Sequence, residues 1–427
     1  MNRRTFLHST LTAGLGFSVL PAKILAQSPN KLQITDLQIW RFQGKRKYTS
    51  GLHGQYQAQP LHIYDEHRPS VYQDTENPES REVGYSANYL QIVTNKDLHG
   101  WYGPVDTAAA VVVDRQLKRF LIGKDPIAIE KIWDQMYRSN RHSRAGHFMM
   151  GISAVDNALW DLRGRYYNAP VYQLLGGPTR NKIAAYGSCL GFSAQPEPAK
   201  SKSAELKKQG FVNQKWFLPY GPGSGPEGMI RNVQLVKNLR ASLGEDADIM
   251  FDAFMGWDLT YAMEWASKVE QYHPRWIEEA FHPEKLDSFA QLSKETTIPV
   301  ATGEHFYNRW EVKRFLEADA IHVVQADPEW CGGVSELMKI CTLASAHDVH
   351  VIPHGHNIHS ALHVVASQSP MTCPMVEYLI NKMSHYYMFE TVDLTPDNGF
   401  IQLSDKSGFG IEFDESKIEK REQISWN

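Results

Sequence analysis

Six polar side chains in the second half of the chain each close a short apolar segment, and they recur every 23 to 27 residues. They are Asp252, Glu278, Glu304, Asp327, His354 and Glu377. A strand, a turn and a returning helix need about this length of chain. The spacing therefore predicts that all six lie at the carboxyl ends of successive parallel strands and face one shared mouth.

The first three of these residues are acids, Asp252, Glu278 and Glu304. Carboxylates buried side by side repel one another and take up protons unless a cation neutralises them. Three hard oxygen ligands suit Mg²⁺, which keeps further coordination positions for other oxygens. The sequence therefore predicts one Mg²⁺ per subunit at these three residues. The alternative is a set of solvated surface acids, which the apolar segment before each acid argues against.

The next two residues in the series pair a carboxylate with an imidazole. An imidazole that a neighbouring carboxylate holds and makes more basic can act as a general base near neutral pH. We therefore predict that His354 is a general base oriented by Asp327. Glu377 closes the last strand and is a candidate acid or hydrogen-bond partner for a developing oxyanion, with a purely structural role as the alternative.

The segments that lead to these residues indicate an α/β fold. Eight strand-sized apolar segments, most followed by a helical pattern, lie at 183–186, 212–217, 249–252, 276–278, 298–304, 321–327, 349–354 and 375–377. Eight such units in series predict a (β/α)-type barrel. A doubly wound open sheet is the alternative, but no Gly-rich phosphate loop follows the first strand.

The part of the chain before residue 182 has a different pattern. Alternating apolar and polar residues predict a strand at 32–39, and 87–100 is typical of another strand and turn. The polar segment 50–85 has no clear period, and so long a loop is usually functional or disordered. Helical patterns cover 106–122, 127–138 and 153–167.

Charge and cysteine content exclude several classes of protein. The net charge is −4 and no long basic run occurs, so neither nucleic acid nor an anionic membrane surface is an expected partner. The four cysteines are too few and too scattered for a disulfide framework and lack CxxC spacing, which disfavours a thiolate zinc site. We expect packed thiols at Cys189, Cys331, Cys341 and Cys373.

The N-terminal segment 1–27 has the composition of an export signal. Arg3 and Arg4 precede a short apolar stretch, and the small residue Ala26 follows it. Adjacent arginines before Phe-Leu resemble a twin-arginine signal, which predicts a periplasmic protein. The apolar stretch is too short for a permanent membrane anchor. A disordered tail is the alternative.

The order Asp, Glu, Glu, Asp, His on successive strands resembles the mandelate racemase branch of the enolase superfamily, which uses a Lys or His base with Mg²⁺. The stretches 151–162 (GISAVDNALWDL) and 170–177 (PVYQLLGG) resemble that family's entry into its barrel. The resemblance implies a (β/α)7β barrel at 151–385. It also implies an α+β capping domain, built from 28–150 and the C-terminal segment 386–427. A substrate carboxylate bound to the metal and a homo-oligomer are further implications.

The second strand departs from the racemases of this branch. They carry Lys-x-Lys there, whereas this chain has Lys215, Trp216 and Phe217. Phe217 cannot exchange a proton, so the site has one base, which favours elimination over racemisation. The resemblance then implies that His354 removes the proton beside the carboxylate, while Mg²⁺ and Lys215 stabilise the enediolate. A surface or pairing role is the alternative for Lys215.

Loss of a hydroxyl from the next carbon, with His354 or another group as acid, would give a 2-keto-3-deoxy sugar acid. The motifs at 303–305 (GEH), 330–333 (WCGG) and 353–355 (PHG) look most like the L-rhamnonate dehydratase group. In such enzymes the capping loops contribute much of the specificity. The candidate substrate contacts in the segment 50–85 are His53, His62 and Arg68, with solvated loop residues as the alternative for each. His305, beside Glu304, is a further candidate contact. Two alternatives stay open: a cycloisomerase of an anhydro sugar acid, and a catalytically inactive periplasmic sugar-acid binding protein.

Overall fold

The computed structural model describes residues 31–49, 57–68 and 80–426. The predicted export segment 1–27 and the predicted contact His53 lie outside these residues. In the described part of the chain, no helix is both long and apolar enough to cross a membrane.

A four-stranded antiparallel sheet joins the two ends of the described chain, in the order β13–β1–β2–β3. Its strands are β1 (Ile34–Thr49), β2 (Ser80–Thr94), β3 (His99–Tyr102) and β13 (Lys420–Ile424). Strands β1 and β2 are longer than predicted, because their hydrogen-bonded pairing runs from Ile34↔Thr94 to Thr49↔Ser80 and continues through polar residues. Part of the predicted loop at 50–85 therefore belongs to β2.

Five helices connect this sheet to the barrel: α1 (Thr107–Val112), α2 (Lys118–Leu121), α3 (Ile129–Ser139), α4 (Gly146–Tyr167) and α5 (Val171–Leu174). The helix predicted at 106–122 is interrupted by a π-helical turn, Val113–Leu117. Helix α4 begins at Gly146, before the predicted start at residue 153, and it crosses the predicted domain boundary at 150/151. Its central residues are buried on all sides, as in a core helix.

Eight parallel strands form the second sheet, in the order β10–β9–β8–β7–β6–β5–β4–β11. They are β4 (Lys182–Ser188), β5 (Gln214–Phe217), β6 (Ile249–Asp252), β7 (Trp276–Glu278), β8 (Val300–Thr302), β9 (Val323–Val324), β10 (His350–Val351) and β11 (Met375–Leu379). At the closing edge, the Val351 amide of β10 donates to the Thr372 carbonyl just before β11, at 2.8 Å. The predicted barrel is confirmed.

Helices follow these strands in alternation. They are α6 (Pro196–Lys208), α7 (Gly225–Leu243), α8 (Leu259–Val269), α9 (Leu286–Glu295), α10 (Arg309–Glu317), α11 (Val334–Ser345), α12 (Ile358–Ser367) and α13 (Ile380–Tyr386). The C-terminal segment then adds β12 (Phe400–Gln402), which pairs antiparallel with β4. Strand β13 follows and pairs with β1 in the four-stranded antiparallel sheet.

A plug of apolar side chains fills the interior of the barrel. It consists of Tyr186, Met250, Trp276, Ala301, Val323, Ile352 and Met375, all buried. Because strand side chains alternate, the next inward positions on β6, β7 and β11 are Asp252, Glu278 and Glu377. The apolar side chains therefore fill the barrel interior beneath these three acids, which lie at the carboxyl ends of the strands.

Candidate active site

Three carboxylates meet at the mouth of the barrel. Asp252 and Glu278 are the last residues of β6 and β7, and Glu304 lies two residues beyond β8. One oxygen from each lies within 4.8 Å of the other two, and all three residues are buried. Gly303 makes the approach of Glu304 feasible: its φ of +118° favours glycine, and a Cβ there would lie 2.9 Å from the Phe306 ring.

The ammonium of Lys215 lies among these acids. It contacts Glu278 most closely, and its Nζ is 2.8 Å from Glu377 Oε1 and 3.3 Å from Asp252 Oδ2. Lys215 is only 1 % exposed, so the alternative of a surface position is excluded, whereas a pairing role describes these contacts. Burial opposes the charged form, but Glu278 and Glu377 hold the pKa of Lys215 well above its usual range.

The pKa values of the three carboxyls indicate that the Lys215 ammonium alone does not compensate their combined negative charge. Burial is the main cause that raises the pKa of Asp252 to about 6 and those of Glu278 and Glu304 to about 8, and neighbouring carboxylates add to the effect. Buried carboxyls with such pKa values favour either protons or a further cation. Three convergent hard oxygens are the donor set that Mg²⁺ prefers. The residues present therefore fit the predicted ion.

The predicted dyad is also assembled at this mouth. His354 Nδ1 lies 2.9 Å from Asp327 Oδ2, while Asp327 Oδ1 accepts the Glu329 amide at 2.7 Å. The opposite ring nitrogen, Nε2, faces the acids, 3.7 Å from Glu304 Oε2 and 4.0 Å from Glu377 Oε2. Burial lowers the pKa of His354, but Glu304, Asp327 and Glu377 together raise it to about 10.

Glu377 connects the dyad to the lysine. Its Oε2 accepts the Gly355 amide at 2.9 Å, and its Oε1 faces Lys215. Burial would raise the pKa of Glu377, but Lys215 and then His354 lower it to about 2. These contacts make Glu377 an ionic partner of Lys215, and its role as an acid or as a hydrogen-bond partner of the oxyanion stays a prediction.

Two residues in the site were missed by the sequence reasoning. Glu279 follows Glu278 with a φ of +44°, and its Oε1 lies 2.9 Å from His305 Nδ1. The Trp330 ring lies between two imidazoles, with centroid distances of 5.4 Å to His305 and 5.0 Å to His354. The tandem of acids Glu278 and Glu279 at the end of β7 was the sequence signal for Glu279, and Trp330 was noted only as part of a motif.

The described part of the long loop lies against the barrel mouth. The Ala58 amide donates to the Leu218 carbonyl, just beyond β5, at 2.7 Å. All three guanidinium nitrogens of Arg68 are bonded: Nε to His62 O at 2.8 Å, Nη1 to Gly223 O at 2.7 Å, and Nη2 to the carboxylate of Asp65. The bond to Gly223 joins this part of the loop to the barrel, whereas the bonds to His62 and Asp65 lie within the loop. Contact of His62 and Arg68 with a substrate stays a prediction, as it does for His305.

Buried polar residues of α4 position the segment between Asp327 and α11. Asp156 accepts both the amide of Ser335 at 2.9 Å and its hydroxyl at 2.7 Å. Asn157 donates to the Pro328 carbonyl at 3.1 Å and accepts the Val334 amide at 3.0 Å. These bonds explain why the 151–162 stretch carries acids and amides inside an apolar helix, because they fix the loop that holds Trp330.

The comparisons with known proteins agree with this geometry. Residues 201–417 match the family model described as enolase C-terminal domain-like, and residues 90–176 match the mandelate racemase / muconate lactonizing enzyme N-terminal domain. The chain belongs to the mandelate racemase and muconate lactonizing enzyme branch of the enolase superfamily. The resemblance inferred from the order of strand-end residues is thereby confirmed.

Three similar proteins are informative. An L-rhamnonate dehydratase of Saccharopolyspora erythraea is 34 % identical over 71 % of this chain and 76 % of its own. The structure of rhamnonate dehydratase from Gibberella zeae complexed with Mg aligns with a TM-score of 0.74 at 26 % identity, covering 91 % of this chain and 95 % of that one. The 3,6-anhydro-D-galactonate cycloisomerase of Zobellia galactanivorans aligns with a TM-score of 0.71 at 25 % identity, covering 91 % and 100 %.

Proposed function

We propose that this enzyme is a Mg²⁺-dependent hydro-lyase that dehydrates L-rhamnonate or a related aldonate to the 2-keto-3-deoxy acid. The observation that carries the proposal is the arrangement of the His354–Asp327 dyad beside a buried three-carboxylate cluster. His354 Nε2 faces that cluster, and Asp327 holds the other ring nitrogen. The similarity to rhamnonate dehydratases over most of the chain supports the substrate class.

His354 is the general base in this mechanism. Asp327 accepts a hydrogen bond from Nδ1–H, which keeps the proton on Nδ1 and leaves Nε2 as the lone-pair nitrogen that faces the site. Nε2 removes the proton on the carbon beside the substrate carboxylate, and the electron pair moves toward that carboxylate. The Trp330 ring packs against the imidazole and restricts its rotation, so the base is held in one orientation.

The negative charge on the substrate would be balanced by the bound Mg²⁺ and by Lys215. Asp252, Glu278 and Glu304 would hold the Mg²⁺ ion, which when bound supplies positive charge that makes the adjacent proton more acidic. Lys215 carries a permanent positive charge at the base of the site and stabilises the negative charge that develops on the substrate carboxylate. Glu377 holds both Lys215 and the Gly355 amide in position.

Elimination completes the reaction. The bond between the next carbon and its hydroxyl breaks, and the proton carried by His354 Nε2 leaves with that oxygen as water. The enol then tautomerises to the keto acid. Phe217 lies on the strand that carries Lys215, with its ring centroid 5.4 Å from Lys215 Nζ. Its ring cannot deliver a proton, so the site has no second base at this position and favours elimination over racemisation.

The decisive experiment is a screen of aldonic and uronic-derived acids for 2-keto acid formation with Mg²⁺ in D₂O. We expect product from L-rhamnonate or a close stereoisomer, with loss of one water. An enzyme that binds these acids but neither exchanges the α-proton nor forms a keto acid would instead be a binding protein. The cycloisomerase alternative, which the similarity to the Zobellia enzyme favours, predicts that an anhydro sugar acid is converted without loss of water.

Two further features belong to the proposal. We infer that residues 1–27 direct export to the periplasm, so the exported protein should begin near Gln27. Mass spectrometry of protein from the native host would detect an uncleaved Met1 start if this inference is wrong. We also infer a homo-oligomer, which light scattering of the purified enzyme would reveal as a mass several times that of one 48.6 kDa chain.

A further inference from the structure

Two of the four cysteines lie in contact, although they are distant in sequence. Cys341 is on α11 and Cys373 precedes β11, and their Sγ atoms are 3.6 Å apart. Both residues have no exposed surface. The thiol of Cys189, in contrast, lies 3.7 Å from the Gly187 carbonyl. The predicted packed thiols are confirmed at all four cysteines, and Cys341 and Cys373 are in addition packed against each other.

We propose that Cys341 and Cys373 form an oxidisable pair that closes to a disulfide when the protein meets a small peroxide. Hydrogen peroxide oxidises one thiol to a sulfenic acid, and the first water is released. The neighbouring thiol attacks that sulfur, its S–H proton leaves with the displaced hydroxide as a second water, and the Sγ–Sγ bond forms. The two sulfurs together lose two electrons, which reduce the O–O bond of the peroxide.

The geometry favours the second step over further oxidation. A disulfide needs an Sγ–Sγ distance of about 2.05 Å, so the two sulfurs must approach by roughly 1.5 Å. Arg180 donates to the carbonyl of Cys373, which holds that backbone beside α11. A sulfenic acid on either cysteine therefore has a thiol as its nearest reaction partner, and the buried position excludes bulky competing thiols.

Burial also sets the conditions for the reaction. The neighbouring Cys373 thiol and then burial hold the pKa of Cys341 well above its usual range, so little thiolate is present at neutral pH. We expect slow closure that needs a reagent of nearly the size of water. The bond would close the segment from Cys341 to Cys373, which includes β10, α12 and the proposed base His354.

The test uses the full chain, treated with hydrogen peroxide, denatured without reductant and labelled with a maleimide. Four thiols should label before oxidation and two after it, and non-reducing peptide mapping should recover a 341–373 linked pair about 2 Da lighter than the two free peptides. Dithiothreitol should restore four labels. The oxidised protein should also have a higher Tm than the reduced protein, because the bond restricts the unfolded chain.

Matched variants separate this pair from the other thiols. Cys373→Ala should abolish the linkage and divert Cys341 to a sulfinic acid, whereas Cys189→Ala should leave the linkage intact. Four labelled thiols in the wild type after extended oxidation would overturn the proposal, and so would sulfinic acid at Cys341 with Cys373 still present. Both measurements on the wild type are independent of the proposed enzymatic activity and of how well the variants fold.

Discussion

Replacing Lys215 by Met tests the charge balance of the site most directly. Methionine keeps much of the aliphatic volume and removes an ammonium that contacts Asp252, Glu278 and Glu377 while being 1 % exposed. Removing one partner of a buried ion pair typically costs about 3–5 kcal/mol, since the remaining charges lose their compensation. We therefore expect metal-free Lys215→Met to lose about that much free energy of unfolding at pH 8.

The same substitution should strengthen binding of Mg²⁺. The ammonium lies 3.3 Å from Asp252 Oδ2 and still closer to Glu278, so it repels a cation held by these residues. Two unit charges 4 Å apart interact by about 4 kcal/mol at an effective dielectric constant of 20. Removing a repulsion of half this size would lower the Kd for Mg²⁺ by more than about tenfold. Saturation at 100 times the Kd then restores about 2.7 kcal/mol of stability.

Urea unfolding with and without Mg²⁺ and titration calorimetry measure both effects. Lys313→Met is the control, because its Nζ pairs with Glu317 on the surface, where such pairs contribute about 0–1 kcal/mol. Turnover of Lys215→Met should be lost despite tighter metal binding, because no charge would oppose the substrate carboxylate. A variant as stable as the wild type without Mg²⁺, or one that binds Mg²⁺ more weakly, would refute the assigned role.

Three further outcomes are expected. His354→Asn should lower kcat by about 10²–10⁴-fold or more while calorimetry gives a nearly unchanged Kd for Mg²⁺; undiminished turnover would exclude His354 as the base. The metal-free protein should lose stability as pH rises from 6 to 8, because Glu278 and Glu304 (folded pKa about 8) bind protons in the folded state that unfolded carboxyls have released. Saturating Mg²⁺ should flatten this profile, and a metal-free profile that rises with pH would contradict it. Arg68→Ala should raise KM roughly tenfold with little change in kcat, because each lost bond to a backbone carbonyl is worth about 1 kcal/mol; an equal loss of kcat and kcat/KM would show a direct role in the transition state.

The barrel was predictable because each strand leaves a local pattern. Asp252 and Glu278 end β6 and β7 at the predicted residues, since an apolar run that stops at an acid marks both burial and the strand end. Glu304 and His354 lie beyond the ends of β8 and β10, so the predicted segments were too long there. The turn at Gly303 carries Glu304 back toward the mouth although the ladder has already ended.

The pairings between strands were not predictable from spacing. Lys215 and Glu377 are 162 positions apart, yet they meet because β4 separates β5 from β11 in the closed sheet. Glu279 was missed because strand alternation directs it away from the mouth, whereas its φ of +44° turns it toward His305. The docking of Arg68 depends on backbone carbonyls, which have no sequence signature.

Glu304 joins the two halves of the proposed chemistry. One of its oxygens is among the three that would hold Mg²⁺, and Oε2 lies 3.7 Å from His354 Nε2. After burial, which acts in the opposite direction, Glu304 is the largest cause of the raised pKa of His354. A cation that takes up the charge of Glu304 therefore also weakens the hold of that carboxylate on the imidazolium proton. Binding of Mg²⁺ at Glu304 would therefore lower the pKa of His354 and help to release the proposed base from its protonated state.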